Sequence, residues 1–256
     1  MPVAAGLYYF LHENEPSNMP PVLLIHGAGG SHLSWPTEIR RLVGHNVYAI
    51  DLPGHGKSDT HGEQTISAYA DHVLTWMETL NLYRIFIVGH SMGGAIAMMI
   101  AATVPARVAG LGLVGIGMPL EIPADIIENL SNPAMVSAAI NRIKALSFSP
   151  DTDPRLVELI SKHMAEIRAS VLRGDFLACT RFNIVNVLEA IEQPAIIIAG
   201  GQDQMMPLRY AQLLAKKIKE AEFFVIPDAA HMLMMEKPND IAERLITFFQ
   251  KHAYFL

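Results

Sequence analysis

The feature that most constrains this 256-residue chain is a turn. The apolar run Ile85-Phe86-Ile87-Val88 passes through Gly89-His90-Ser91-Met92-Gly93-Gly94 into Ala95-Ile96-Ala97-Met98-Met99-Ile100-Ala101-Ala102. The first run reads as a strand buried on both faces and the last as a helix of small residues that packs closely. Joining them in so few residues crowds the backbone, so glycine is needed at 89 and 93 if the side chain of Ser91 is to project above the sheet. A strand feeding directly into a helix belongs to α/β architecture with a parallel sheet, which excludes all-β and all-α folds.

The rest of the chain repeats that alternation. Val22-Leu23-Leu24-Ile25, Val47-Tyr48-Ala49-Ile50, Leu111-Gly112-Leu113-Val114, Ala195-Ile196-Ile197-Ile198 and Phe223-Phe224-Val225-Ile226 read as further strands. Helical patterns fall near 66–80, 92–104, 207–218 and 238–251, and Tyr8-Tyr9-Phe10-Leu11 reads as an antiparallel edge strand. Between Met118 and Ala190 the alternation stops, and helical patterns at 135–146 and 156–172 follow one another with no clear strand. Proline marks both limits, at Pro119 and Pro194. The expected organisation is a mostly parallel central sheet flanked by helices, with core segments 1–118 and 191–256 and a helical cap, 119–190, inserted after the sixth strand.

Composition narrows the partners. With 51% apolar and 17% charged residues, the chain has material for one deep core and is unlike a disordered sequence. A formal charge of −6 provides no basic footprint, so neither nucleic acid nor an anionic lipid surface is expected as a partner. The single cysteine, Cys179, has no internal disulfide partner and no second thiolate for a metal site. The start, Met1 to Tyr9, lacks the basic and apolar regions of a signal peptide, and no apolar stretch reaches the ~20 residues of a membrane span. The expectation is a cytoplasmic protein, with a homodimer left open.

Ser91 is the candidate for chemistry, against the bland reading of a glycine-rich turn with none. A serine hydroxyl is a weak nucleophile, so it calls for a histidine base and a carboxylate to orient it. Of eleven histidines, His231 follows the last strand directly, in Pro227-Asp228-Ala229-Ala230-His231, where loops leave the carboxyl ends of the strands. Asp203 follows the preceding strand in Gly200-Gly201-Gln202-Asp203, and the order serine, acid, histidine fits this chemistry. Asp228 is the rival acid, although it suits a turn after Pro227 and would have to fold back within its own loop. A second glycine cluster, His26-Gly27-Ala28-Gly29-Gly30-Ser31, follows a strand and reads as an oxyanion loop, with backbone amides of Met92 and Ala28 as donors and Gly29 as the alternative to Ala28. It lacks the Lys-Ser or Lys-Thr of a phosphate loop. Gly110-Leu111-Gly112-Leu113-Val114-Gly115 matches a dinucleotide pattern in letters only, because it lies inside a strand.

On these residues the chain resembles the α/β-hydrolase superfamily, in particular its capped carboxylesterases, enol-lactonases and hydrolases of ring-cleavage products. The likeness also takes in His26-Gly27, Trp35, Asp51-Leu52-Pro53-Gly54-His55-Gly56-Lys57-Ser58, Gly201-Gln202-Asp203 and the Glu236-Lys237-Pro238 that follows His231. The resemblance implies the α/β-hydrolase fold, Ser91 as nucleophile, His231 as base, Asp203 as orienting acid, and no required metal or cofactor. Serine at 91 argues against the related dehalogenases and epoxide hydrolases, which carry aspartate there. The segment Asp51 to Ser58, despite its acid, histidine and serine, reads as a structural, turn-rich connection.

The substrate is less legible. Trp35, Gly27, His90, Met118, Met232 and Leu233 are the candidate pocket residues, against the ordinary reading of core filling; methionine's flexible thioether suits an adaptable apolar site. Such a pocket favours small apolar or aromatic esters, or lactones. Arg142, Lys144, Arg168, Arg173 and Arg181 would hold a dienoate carboxylate if they turned inward, but they also fit a solvated helix face. The leading expectation is a carboxylesterase acting through an acyl-enzyme. Its alternatives are a C–C bond hydrolase or enol-lactonase with the same residues, and a non-catalytic ligand-binding member of the fold.

Overall fold

The computed structural model describes residues 2–14, 19–58, 61–183 and 185–253. Met1 and Ile184, which fall within the N-terminal and cap readings, lie outside them. Eight strands, β1 (Val3–Ala4), β2 (Leu7–His12), β3 (Val22–Ile25), β4 (Val47–Ile50), β5 (Ile85–His90), β6 (Val108–Val114), β7 (Ala195–Gly200) and β8 (Glu222–Ile226), form one sheet in the order β1-β2-β4-β3-β5-β6-β7-β8. From β4 to β8 all neighbours are parallel, whereas β2 runs antiparallel to β4. The antiparallel strand expected at 8–11 is present within β2 but is not the edge. Ala5 and Gly6, both at positive φ, turn the chain so that Val3–Ala4 pairs outside it.

Between the strands run α1 (Thr37–Arg40), α2 (Ile66–Thr79), α3 (Met92–Thr103), α4 (Ala124–Leu130), α5 (Val136–Ser147), α6 (Pro154–Ala165), α7 (Ala169–Arg181), α8 (Val185–Leu188), α9 (Leu208–Lys217), α10 (Leu233–Glu236) and α11 (Pro238–His252). The central strands β3, β5, β6 and β7 are buried throughout, as strands covered on both faces must be. One core cluster joins them to α2, α3 and α9, and a second joins the opposite face to α1, α10 and α11. α3 is enclosed on nearly every side, which explains its uniformly apolar, small-residue sequence.

The chain between β6 and β7 contains helices α4 to α8 and no strand among the described residues. The pattern at 156–172 is two helices rather than one. Its first part, α6, has no fully buried residue, while α7 buries seven, so the extended backbone of Arg168 reorients the chain and lets α7 turn inward. No helix among the described residues is long and apolar enough to cross a membrane.

Because the sheet is parallel from β4 onward, the loops after β3, β5, β6, β7 and β8 all leave by its carboxyl edge. Ile25 lies level with Gly89, Gly89 with Leu113, Val114 with Ile198, and Gly200 with Ile226. That register brings together segments more than two hundred residues apart in sequence.

Candidate active site

Ser91 stands at the tip of the turn from β5 to α3 with φ 52° and ψ −117°, a conformation that costs a non-glycine residue about 1–3 kcal/mol. The neighbours make that turn possible. A Cβ on Gly89 would lie 2.2 Å from the Gly93 carbonyl oxygen, and one on Gly93 would lie 2.2 Å from the Ile25 carbonyl oxygen. Both obstacles are backbone, so neither yields. The Ser91 amide donates to the Val114 carbonyl at 2.9 Å, tying the turn to β6. Met92 opens α3, where first-turn amides have no partner within the helix and the dipole presents its positive end.

His231 and Asp203 meet Ser91 from the loops after β8 and β7. His231 Nε2 lies 3.0 Å from Ser91 Oγ, and His231 Nδ1 lies 2.8 Å from Asp203 Oδ2. An ionised Asp203 only accepts, so Nδ1 carries the proton and Nε2 is left to accept from the serine hydroxyl. The other oxygen of Asp203 accepts from the Met206 amide at 2.7 Å. Asp228 is elsewhere, on the surface, where it pairs with Lys237.

Two residues and one segment hold this arrangement in place, in roles that the sequence did not disclose. His90, expected to line a pocket, is buried, and its Nε2 donates to the His231 carbonyl at 2.9 Å. Burial first, and the neighbouring His231 next, hold its pKa well below the usual value, keeping it neutral. The end of α5 and the residues just after it cross both loops. The Leu146 carbonyl accepts from the Met205 amide at 3.1 Å, the Ser147 carbonyl from the Met232 amide at 3.1 Å, and Ser149 Oγ donates to Gln202 at 2.8 Å. Glu236 clamps the same region, accepting from the Ala230 amide at 2.8 Å and the Ser149 amide at 3.2 Å; burial raises its pKa despite these bonds.

The loop after β3 packs beside the elbow: a Cβ on Gly27 would come within 2.7 Å of His90 Nδ1. The Gly30 amide turns back onto the Gly27 carbonyl at 3.1 Å, and the Gly29 amide donates to Asp175 at 2.9 Å. Gly29 is therefore committed, whereas the Ala28 amide makes no hydrogen bond among the described residues. His26 fixes the loop's base, since its Nδ1 donates to the Gly27 carbonyl and its Nε2 accepts from the Leu52 amide. Burial, and then the charge of His55, push the pKa of His26 down to about 4. The segment from Asp51 to Ser58 is scaffolding. Burial opposes ionisation of Asp51, but hydrogen bonds from the His32 ring, the His32 amide and the Lys57 amide prevail and hold its carboxyl below the usual range.

The remaining pocket expectations divide. Trp35 and Leu233 are wholly buried in the core cluster against α1 and α11, which leaves them no face for a ligand; apolar character near a loop signalled enclosure, and the core claimed it. Trp35 even leaves its indole N–H without a partner among the described residues. Gly27 is buried beside His90, and Met118 is half-buried at the entry to the helical excursion, its amide bonded to the Tyr210 carbonyl. Met232 does line a small cleft, together with Ile143, Lys144, Phe148, Ile160 and Met164. Ser91 is not in its wall. The cleft approaches the site through Met232, next to His231, and Met164, whose side chain would lie 3.4 Å from a Cβ on Gly29.

Residues 20–238 match the family model for the α/β hydrolase fold. The chain is 28% identical, over 91% of its length, to the dihydrolipoyllysine-residue acetyltransferase component of the acetoin cleaving system of Pseudomonas putida, and spans 64% of that protein. Among solved structures, a thermophilic esterase is 28% identical with a TM-score of 0.81, covering 96% of this chain and 98% of that one. The enol-lactonase of Burkholderia xenovorans LB400 superposes with a TM-score of 0.88 at 21% identity, over 95% and 96% of the two chains, and bears on the fold alone. The chain belongs to the α/β-hydrolase fold family.

Proposed function

We propose that this chain is a serine carboxylesterase acting on small apolar or aromatic esters through an acyl-enzyme. The observation that carries the proposal is the continuous chain of hydrogen bonds from Asp203 through His231 to Ser91, at 2.8 and 3.0 Å. In the reaction, His231 Nε2 takes the Ser91 proton as Oγ attacks the ester carbonyl. The resulting oxyanion faces the amides of Met92 and Ala28. Collapse expels the alcohol, which receives the proton from His231, and leaves Ser91 acylated. Water, deprotonated by His231, then releases the acid and restores the serine. Asp203 holds the Nδ1 tautomer and offsets the imidazolium charge.

The helices between β6 and β7 serve as a cap in this reading, and their apolar cleft supports an uncharged acyl or aryl group. A dienoate substrate is less well served. Lys144, the one of these cations that lines the cleft, pairs with Glu158; Arg142 pairs with Asp125, Arg173 bonds Ser131, Arg181 bonds Gln64, and Arg168 is exposed. The 28% identical solved structure is that of an esterase, which agrees with the proposal. The test is turnover of p-nitrophenyl esters of graded acyl length, a lactone and a ring-cleavage dienoate, by wild type and Ser91→Ala. Hydrolysis of short esters with a burst of nitrophenol, lost in Ser91→Ala, is expected. No turnover of any of them, together with no fluorophosphonate adduct on Ser91, overturns it.

A further inference from the structure

Asp175 lies on α7 in the middle of the helical excursion, yet its side chain is fully buried and both oxygens are used. Oδ2 accepts from the Gly29 amide at 2.9 Å and from His55 Nε2 at 2.8 Å, and Oδ1 accepts from the Tyr69 hydroxyl at 2.5 Å. His55 Nδ1 faces the Pro53 carbonyl, an obligate acceptor, at 2.9 Å, so both ring nitrogens point at acceptors. Burial opposes a charge on His55, but the carboxylate of Asp175 prevails and raises its pKa. The result is a buried carboxylate with three donors converging on it, none of which belongs to the chain of groups leading to Ser91.

We infer that Asp175 is a positioning residue for the oxyanion loop, holding the Gly29 amide so that the preceding peptide aims the Ala28 amide at the developing oxyanion. This rests on the esterase reading of Ser91. The steric setting agrees: Gly29 is at φ +64°, and α7 also presses Leu172 to within 2.7 Å of where a Gly29 Cβ would sit, so a single helix both packs against the loop and bonds it. Gly29, pinned by the carboxylate, and Gly30, turned onto Gly27, leave Ala28 between two fixed neighbours. Asp175 therefore makes the oxyanion donor dependent on the docking of α7. A donor amide stabilises charge that exists only in the transition state, so misaiming it lowers kcat and leaves KM nearly unchanged.

The test compares Asp175→Asn with Tyr69→Phe, which removes a donor from the same carboxylate without touching Gly29. Sites are counted by endpoint fluorophosphonate labelling of Ser91. For Asp175→Asn, kcat per labelled site is expected to fall about 10- to 100-fold with KM within about threefold. Affinity for an alkyl boronic acid, which mimics the tetrahedral oxyanion, should fall in parallel, while Tyr69→Phe keeps both near wild type. Equal losses in the two variants, or an unchanged kcat per site in Asp175→Asn, overturn the inference. If Asp175→Asn does not fold, amide hydrogen exchange on the wild type decides. Gly29 must exchange more slowly than the amide of exposed Val43, and equal rates refute the assignment. Failure of the esterase reading would show differently, as a wild type with no turnover and no Ser91 adduct.

Discussion

Gly93→Ala isolates the steric basis of the elbow. The new Cβ would sit 2.2 Å from the Ile25 carbonyl oxygen and 2.6 Å from that of His26, whereas Cβ contacts essentially never fall below 3.0 Å. The start of α3 must therefore separate from the end of β3 by about 0.8 Å, and neither side has a flexible end that yields. Overpacking of this kind costs about 3 kcal/mol in stability. The same displacement moves the Met92 amide away from the loop that carries Ala28, and an error near 1 Å in a reacting constellation costs about 10²-fold in rate. Gly94→Ala is the internal control, because its Cβ would meet the ends of the Ile116 side chain at 3.0 Å, which can shift, and the Gly89 carbonyl oxygen only at 3.3 Å. Alanine also favours a helix interior over glycine by about 1 kcal/mol, so that variant should keep its stability and most of its turnover. The assay is p-nitrophenyl ester turnover per fluorophosphonate-labelled site, alongside urea unfolding. A Gly93→Ala enzyme with wild-type kcat and stability, or equal damage in both variants, would refute the reasoning.

Ser91→Ala and His231→Ala should each reduce turnover at least about 10⁴-fold with little change in fold, as judged by circular dichroism. Asp203→Asn should cost about 10³- to 10⁴-fold by misassigning the His231 tautomer, whereas Asp228→Asn, which loses only an exposed ion pair with Lys237, should match wild type in kcat; a reversed ranking would reassign the acid. Stability should fall as pH drops from 6.5 toward 4. There the unfolded chain protonates His26 at its ordinary 6.5, while the folded state, with its pKa pushed down to about 4, does not. Urea unfolding across that range should lose on the order of 3 kcal/mol from this source, and the loss should shrink in His26→Asn.

The parts of the fold that were legible in sequence are those written as local pattern. Continuous apolar runs announced buried strands, and glycines at 89 and 93 announced a turn whose crowding the structure measures. The order of loops along the chain placed Ser91, Asp203 and His231 on one sheet edge before any distance was known. What escaped was anything decided by long-range packing. Nothing in the local sequence marks Asp175, two residues after Arg173 on its helix, as buried; its partners Gly29, His55 and Tyr69 are more than a hundred residues away. Trp35 and Leu233 show why apolar residues near a site do not identify a pocket, since sequence reports enclosure and not which volume does the enclosing. The helix expected over 156–172 failed for a similar reason. No glycine or proline marks its break, which exists because one half is exposed and the other is drawn into the core.

The segment from Leu146 to Ser149 joins the Asp203 and His231 loops through backbone carbonyls and one hydroxyl. Main-chain contacts of that kind tolerate side-chain variation but not a change in chain path. Grafting a foreign set of helices between β6 and β7, as a route to new substrates, thus has a boundary condition: the exchanged module must return its backbone past Met205 and Met232 along this same track. A library that randomises the inward side chains of α5 and α6 while leaving 146–149 intact explores specificity without disturbing the distance between acid and base.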